Sequence, residues 1–313
     1  MKISAKEAAK LLCMHDRILI LSHKNPDGDT LGSAYGLLRA LRSLGKTVRT
    51  QCADHLPRTF LYLADGVQQN DFAPEFVVAV DVASVSLFGD AITEAYPQID
   101  LCIDHHHTNE LYAKQTYLYG GASACEAVYE VVREMGVAVT PDLADCLYTG
   151  MATDTGCFRF SNTTPKTMRL AADLMEQGAH YALLNRLLFE TKSKERLAVE
   201  RMVLDTVSYA ADGKIALICI SQKMVKESGA DESELGGISG IPRTIEGVEV
   251  GITMREKETG GYKISVRTAA YVDASKLCAS FGGGGHIRAA GCVIDAPYKE
   301  AKEMLIEEAI RLL

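Results

Sequence analysis

The 313-residue chain has no apolar run approaching the roughly 18 residues a membrane-spanning helix requires. Its opening, "MKISAKEAAKLL", reads as an amphipathic helix and not as a secretory signal. Both features lead us to expect a cytoplasmic protein with no membrane partner. There is no CxxC pair either. The nine cysteines (Cys13, Cys52, Cys102, Cys125, Cys146, Cys157, Cys219, Cys278 and Cys292) form an odd set. Several lie inside apolar runs, where a reduced thiol packs as a small hydrophobe, so we read them as core thiols in a reducing compartment. The chain also lacks an excess of positive charge: 33 Lys+Arg against 41 Asp+Glu leave a net charge of −8. Gripping long duplex nucleic acid by its backbone needs many clustered cations, so an anionic substrate must be short or drawn in by local positive charge. No GxGxxG occurs, so a Rossmann-type dinucleotide site is not supported. Internal repeats and low-complexity tails are absent as well.

What is present is enough apolar residue, 47%, to build a large core, and a length beyond the usual single domain, so two domains are expected. In the first half apolar strands alternate with helices. Residues 17–22, 47–53, 76–83 and 99–104 read as strands, and 30–44 as a helix stopped by Gly45. Further helices fit 123–135, 142–152 and 165–177. Alternation of this kind predicts an α/β fold with a doubly wound, mainly parallel sheet. Residues 181–205 read as one or two long charged helices, after which the pattern changes. Strand pairs follow, with turns at Asp212-Gly213 and Gly260-Gly261. A helix at 273–281, a glycine run, a strand at 289–294 and a helix at 298–312 then complete a smaller α/β domain with a mixed sheet. The expected organisation is a first domain over 1–185, a helical linker over 186–205 and a second domain over 206–313.

Potential metal ligands fall at particular places in this scheme. His23, Asp27 and Asp29 follow the first strand in "SHKNPDGDTLGSA", and Asp81 lies near the end of the third in "VAVDVAS". Asp104, His105 and His106 close the fourth in "CIDHHHTN", and Asp154 follows a helix in "GMATDTGCF". In an open α/β sheet the carboxyl ends of the strands line one crevice, so groups distant in sequence converge there. Each element has a plainer reading alone: an isolated Asp after a strand is commonly a helix cap or turn former, and adjacent histidines can be a solvated loop. Clusters at the corresponding ends of successive elements would rarely arise from independent caps. His15, His55 and His180 have no such company and read as ordinary residues.

These motifs, with the late "FGGGGHIRAAG" at 281–291, resemble the DHH phosphoesterase superfamily with a C-terminal DHHA1-type domain, and the resemblance spans nearly the whole chain. Length and motif order are similar to its NrnA-type oligoribonucleases, which also dephosphorylate 3′-phosphoadenosine 5′-phosphate (pAp). The resemblance implies a two-metal site. His23 and Asp27 would bind one ion, and Asp29, His105 and Asp154 the other, with Asp81 bridging them. Asp104 would orient its neighbours and His106 would face the phosphate as a proton source, while His107 falls at a variable position.

The residues themselves agree with such a site. Four ligand aspartates and two divalent ions sum to about zero charge, and mixed carboxylate and imidazole ligands suit Mn²⁺, with Mg²⁺ or Co²⁺ as substitutes. Paired metals activate a hydroxide and steady the leaving oxygen, which makes the reaction phosphoester hydrolysis. In the second domain, a run of glycines can be a flexible connection or an anion nest of backbone N–H groups. By resemblance, Arg267 and His286 contact the substrate, with the loop of Gly283, Gly284 and Gly285 closing on it. Arg159 in "FRFSNTT" is a second choice for the same task, a surface arginine being its plainer reading.

The expected substrates are short single-stranded RNA and nucleotide bisphosphates. An alternative is a phosphodiesterase of linear dinucleotides (pApA, pGpG) or cyclic dinucleotides. The GGGGH-type second domain argues against a pyrophosphatase. A catalytically silent nucleotide-binding module would be favoured by a missing ligand, and none is missing. Oligomeric state is left open, a homodimer included.

Overall fold

The computed structural model describes residues 1–313, the side chains of 232 and 233 excepted. The chain forms two compact units, Met1–Thr191 and Lys192–Leu313. The first contains α1 (Ala5–Met14), β1 (Ile18–Leu21), α2 (Gly28–Ser43), β2 (Val48–Gln51), β3 (Phe76–Val80), α3 (Asp90–Ala95) and β4 (Leu101–Asp104). It continues with β5 (Gln115–Leu118), α4 (Ala124–Glu134), α5 (Pro141–Asp154), α6 (Pro165–Glu176) and α7 (Tyr181–Asn185). The second contains α8 (Lys194–Leu204), β6 (Ser208–Ala210), β7 (Ile215–Ile220), α9 (Gln222–Ser228), β8 (Val250–Glu256) and β9 (Tyr262–Thr268). It ends with α10 (Ala274–Ala279), β10 (Gly284–His286), β11 (Ala289–Ile294) and α11 (Tyr298–Leu312).

The first unit is the expected doubly wound α/β fold: a five-stranded sheet in the order β2-β1-β3-β4-β5, parallel throughout. Both faces are covered, which is why its strands read as continuous apolar runs. Ile18, Ile20, Val78 and Val80 point into a core shared with the helices α1, α2, α4 and α5. Leu19, Leu21, Val77 and Ala79 face a second core around Phe88 and Ile92. The winding direction reverses between β1 and β3, so the crevice of this sheet opens where those strands end.

Helix α2 crosses that crevice and starts at a true cap. The Asp27 carboxylate accepts from the backbone N–H groups of Asp29 (3.0 Å) and Thr30 (3.1 Å). Gly28, Gly32 and Gly36 repeat every fourth residue along it, a poor helix composition worth about 1 kcal/mol each. The repeat lets α5 approach closely, since a side-chain carbon on Gly32 would overlap the Cys146 carbonyl and one on Gly36 would crowd Leu147. Leu37, Leu38 and Leu41, fully buried, offset that loss at roughly 1.5–3 kcal/mol each.

The second unit carries a mixed six-stranded sheet, β10-β11-β9-β8-β7-β6, with β7 and β8 parallel and the other neighbours antiparallel. One face, with Ile252, Met254, Ile264 and Val266, packs on Leu277 of α10 and on Ala301 and Leu305 of α11. Both expected turns are present, with left-handed Asp212 and Gly213 between β6 and β7 and left-handed Gly260 and Gly261 between β8 and β9.

Several details differ from the sequence reading. Strand β5 was not expected, because a four-residue segment followed by two glycines gives too little pattern. Residues 181–205 form three pieces instead of one or two long helices: α7, a π-helical turn over Arg186–Glu190, and α8. The glycine run is not only a connection either, since Gly284–His286 pairs with Gly291–Ala289 as a strand. Among the described residues no helix is long and apolar enough to cross a membrane.

Candidate active site

The ends of β1, β3 and β4 and the facing ends of α2 and α5 bring six side chains together. His23 Nε2 lies 3.7 Å from Asp27 Oδ1 and 3.6 Å from Asp81 Oδ2. His105 Nε2 lies 3.8 Å from Asp29, 3.5 Å from Asp81 and 3.5 Å from Asp154. Donor atoms of His23, Asp27 and Asp81, and likewise of Asp29, His105 and Asp154, fall within 4.8 Å of one another. These separations are too long for good hydrogen bonds, but ligands about 2.1 Å from a shared ion would lie about 3–3.5 Å apart. Asp81 reaches both groups. It is 3% exposed, its Oδ1 has no hydrogen-bond partner, and its backbone is left-handed at φ +58°. A buried carboxylate oxygen without a hydrogen-bond partner, held in a strained backbone, marks a place that fits a cation.

The electrostatics say the same. Burial works against charge on His23, yet Asp27 and Asp81 outweigh it and raise the imidazole to about 11. Burial likewise opposes charge on His105, and Asp81, Asp29 and Asp154 lift it to about 10. Asp29 is pushed well up by burial and by Asp81 and Asp154. Burial raises Asp154 to about 7, with His105 opposing and Asp81 and Asp27 adding. Carboxylates this crowded, and imidazoles raised this far by them, mark a strongly negative pocket that favours cations. The hard oxygens and imidazole nitrogens suit a divalent ion.

Local structure holds each ligand in place. The Nδ1 of His23 lies 2.9 Å from the Lys24 carbonyl, which leaves Nε2 for the cluster. Asp27 is both a helix cap and a cluster member, so its two readings hold together. Asp29 does not cap its own helix: it is fully buried and accepts from the first N–H groups of α4, Ala124 (2.7 Å) and Cys125 (2.9 Å). Asp154 is the last residue of α5 and not beyond it. Gly150, one helical turn earlier, admits Asp29, because a side-chain carbon there would stand 2.5 Å from Asp29 Oδ1 and collide with Cys125 Sγ.

Asp104 borders this group: a ligand atom from each of Asp81, Asp104, His105 and His106 also falls within 4.8 Å of the others, but the Asp104 carboxylate is taken up by hydrogen bonds. It is buried, and its Oδ1 accepts from the N–H of His105 (2.8 Å) and lies 2.8 Å from His106 Nδ1. Its Oδ2 accepts from Asn109 (2.6 Å). His106, with its Nδ1 so engaged, presents Nε2 outward, and its contact with Asp104 raises its pKa against burial. His107 is exposed. Sequence reasoning missed Asn109 and the Gly121 carbonyl 3.4 Å from His105 Nδ1. The asparagine five residues after Asp104 is a usable signal, whereas a backbone carbonyl leaves none.

In the second unit, His286, Ala289, Arg267 and Gly251 form one transverse row and so share a face of the sheet. Gly283 lies against the Gly291 carbonyl and Cys292, Gly284 has open space above it, and Gly285 has φ +146°. Arg267 is half-buried with the Val266 carbonyl as its hydrogen-bond acceptor, and burial with nearby Arg243 lowers its pKa. Arg243, whose backbone nitrogen lies 2.7 Å from the space beside Gly251, went unnoticed in the sequence. The charge of Arg243 acts on Arg267, so positive charge gathers in this part of the unit. Arg159 is in the first unit, exposed, with Nε donating to the Gly156 carbonyl at 2.6 Å.

A doubly wound sheet that gathers carboxylates and imidazoles at its switch point, followed by a glycine-rich α/β unit, defines a class. The chain belongs to the DHH family: residues 17–151 match the DHH family N-terminal domain and residues 213–313 match the DHHA1 domain. It is 33% identical to the bifunctional oligoribonuclease and PAP phosphatase NrnA of Thermus thermophilus, over 97% of this chain and 94% of that protein. It is 27% identical to the protein of the same description from Bacillus subtilis, over 96% of each. Its fold is shared by an exopolyphosphatase-related protein of Bacteroides fragilis, with a TM-score of 0.89 at 24% identity, over 98% of this chain and 96% of that one.

Proposed function

We propose that this chain is a metal-dependent phosphoesterase that hydrolyses short oligoribonucleotides and pAp. The observation that carries the reading is the cluster around Asp81, whose unpartnered buried oxygen lies among five further ligands. The names of the relatives favour the same substrates. His23, Asp27, Asp29, Asp81, His105 and Asp154 would hold two divalent ions, Mn²⁺ by preference and Mg²⁺ or Co²⁺ as substitutes. Such ions supply an activated hydroxide and neutralise phosphate charge.

The chain's own residues do the rest. Asp104 fixes His106 through Nδ1, so that Nε2 can hold a proton for the departing oxygen. Asn109 keeps Asp104 in that orientation. We assign catalysis to residues 1–185 and substrate recognition to 206–313, with 186–205 as the helical linker. In recognition, Arg267, His286 and the loop of Gly283, Gly284 and Gly285 would engage the nucleotide, and Arg159 its phosphate. A net charge of −8 leaves such local cations to attract a short anion and disfavours long duplexes.

The test is hydrolysis by purified protein of pAp, pApA, RNAs of increasing length, cyclic dinucleotides and pyrophosphate, with Mn²⁺ and with excess chelator. We expect Mn²⁺-dependent cleavage of pAp and short RNA. Full activity in chelator, or cleavage of pyrophosphate alone, would overturn the reading. Cyclic dinucleotides as the sole substrates would replace it with the phosphodiesterase alternative.

A further inference from the structure

The segment that leaves α5 has a feature that holding metal does not require. Gly156, Cys157 and Phe158 take φ values of +56°, +59° and +62° in succession. Two adjacent non-glycine residues in the left-handed region are held against their steric preference, so the surrounding contacts must over-determine the loop. The contacts are dense. Thr155 Oγ1 donates to the Met151 carbonyl (2.6 Å) and accepts from the Phe158 N–H (3.0 Å). The Cys157 N–H donates to the Ala152 carbonyl (2.7 Å), and the Arg159 and Phe160 N–H groups both donate to the Thr155 carbonyl (3.0 Å each). Asn162 ties the far side of the loop to the Asp154 carbonyl at 3.1 Å.

The effect of this backbone is to send two phenylalanines in opposite directions. Phe158 turns inward, 5.8 Å from the Tyr148 ring. Phe160 turns outward, 50% exposed, with no aromatic ring partner among the described residues. A side-chain carbon on Gly156 would collide with Cζ, Cε1 and Cε2 of Phe160, so the tip of the ring rests on the backbone two residues past Asp154. A strained, densely anchored loop therefore presents a half-exposed aromatic ring whose tip lies on the backbone two residues after a cluster ligand. Burial would be the default for such a ring.

We propose that Phe160 is the stacking platform for the nucleobase of the nucleotide whose phosphate is hydrolysed at the cluster. For its substrate this rests on the phosphoesterase reading. Every base has a π face, so such a platform tolerates any sequence while disfavouring phosphoesters that have no base.

The chain has no tryptophan, so Phe160→Trp creates a sole indole reporter on the proposed platform. In Mg²⁺, AMP should quench its fluorescence saturably, whereas ribose 5-phosphate, bound to saturation as judged by calorimetry, should leave it unchanged. AMP that binds without altering the fluorescence, or fails to bind, would overturn the platform. Kinetics give a second arm. Phe160→Ala should lower kcat/KM for pAp by about 5- to 150-fold, the range one stacked base carries. It should spare ribose 3,5-bisphosphate, and Phe160→Tyr should restore the loss. Equal losses on both substrates would show a merely structural role and overturn the proposal. If the unaltered protein hydrolyses neither, the phosphoesterase reading fails, and the fluorescence titration still decides the platform.

Discussion

Asp81 is the residue whose change should separate the two-metal reading from any other. Alanine is a poor choice, because the residue sits at φ +58° and a methyl side chain there adds strain of its own. Asparagine tolerates that backbone and keeps the volume, so Asp81→Asn removes chiefly the charge. The Asp81 carboxylate lies 3.6 Å from His23 and 3.5 Å from both His105 and His106. It therefore faces both ligand groups. If Asp81 bridges two ions, losing one charge-assisted contact to each, at about 1.5–3 kcal/mol apiece, would weaken the pair by roughly 3–6 kcal/mol, or about 10²–10⁴-fold in affinity. The assay is thermal unfolding with rising Mn²⁺. A hundredfold weaker site forfeits about 2.7 kcal/mol of ligand-induced stabilisation, so the Mn²⁺-dependent rise in Tm should largely vanish, and hydrolysis with it. Retention of two ions per chain by elemental analysis, with an unchanged Tm response, would refute the bridging role.

Replacing His106 by Ala should lower kcat by about 10²–10⁴-fold while metal content is unchanged, since its Nδ1 is committed to Asp104; loss of metal would make it a ligand instead. Arg267→Ala should cost about 10- to 150-fold in kcat/KM on pApA, the loss of one charged phosphate contact, and much less on bis-p-nitrophenyl phosphate. Equal losses on both esters would place Arg267 at the reaction centre. Gly150→Ala should destabilise the fold by roughly 1–3 kcal/mol in urea unfolding and also weaken metal binding, because its side chain meets Asp29 as well as Cys125. Unaltered metal affinity in that variant would show that the carboxylate does not depend on this packing.

Much of the site was legible because its residues stand at element ends, and element ends are written locally. The apolar runs before His23, Asp81 and Asp104 end abruptly in charge, and a polar group at the carboxyl end of a buried parallel strand has only the crevice to enter. Turns at Asp212-Gly213 and Gly260-Gly261 are likewise settled by the backbone freedom of two or three positions. The start of α2 was read two residues late, at 30 instead of Gly28, so the cap at Asp27 emerged only with the structure.

The remaining features depend on which elements become neighbours. That β1 lies beside β3, with their ends forming one crevice, is a matter of strand order, and nothing local to "RILILS" or "FVVAVDVA" encodes it. The fate of Asp29 was undecided until α4 supplied two N–H groups from residues 124 and 125, almost a hundred positions away. Gly32 and Gly150 have low intrinsic helix propensity, and only the close crossing of α2 and α5 shows why a side chain cannot stand there. Strand β10 forms because β11 offers it a partner, which lets glycines with no strand preference pair. The sequence by itself determined the chemistry of the ligands and the ends at which they lie, since residue type and local backbone preference suffice for that. Tertiary structure alone decided which carboxylates share a centre and which one orients a histidine, because strand order and helix contact set those distances.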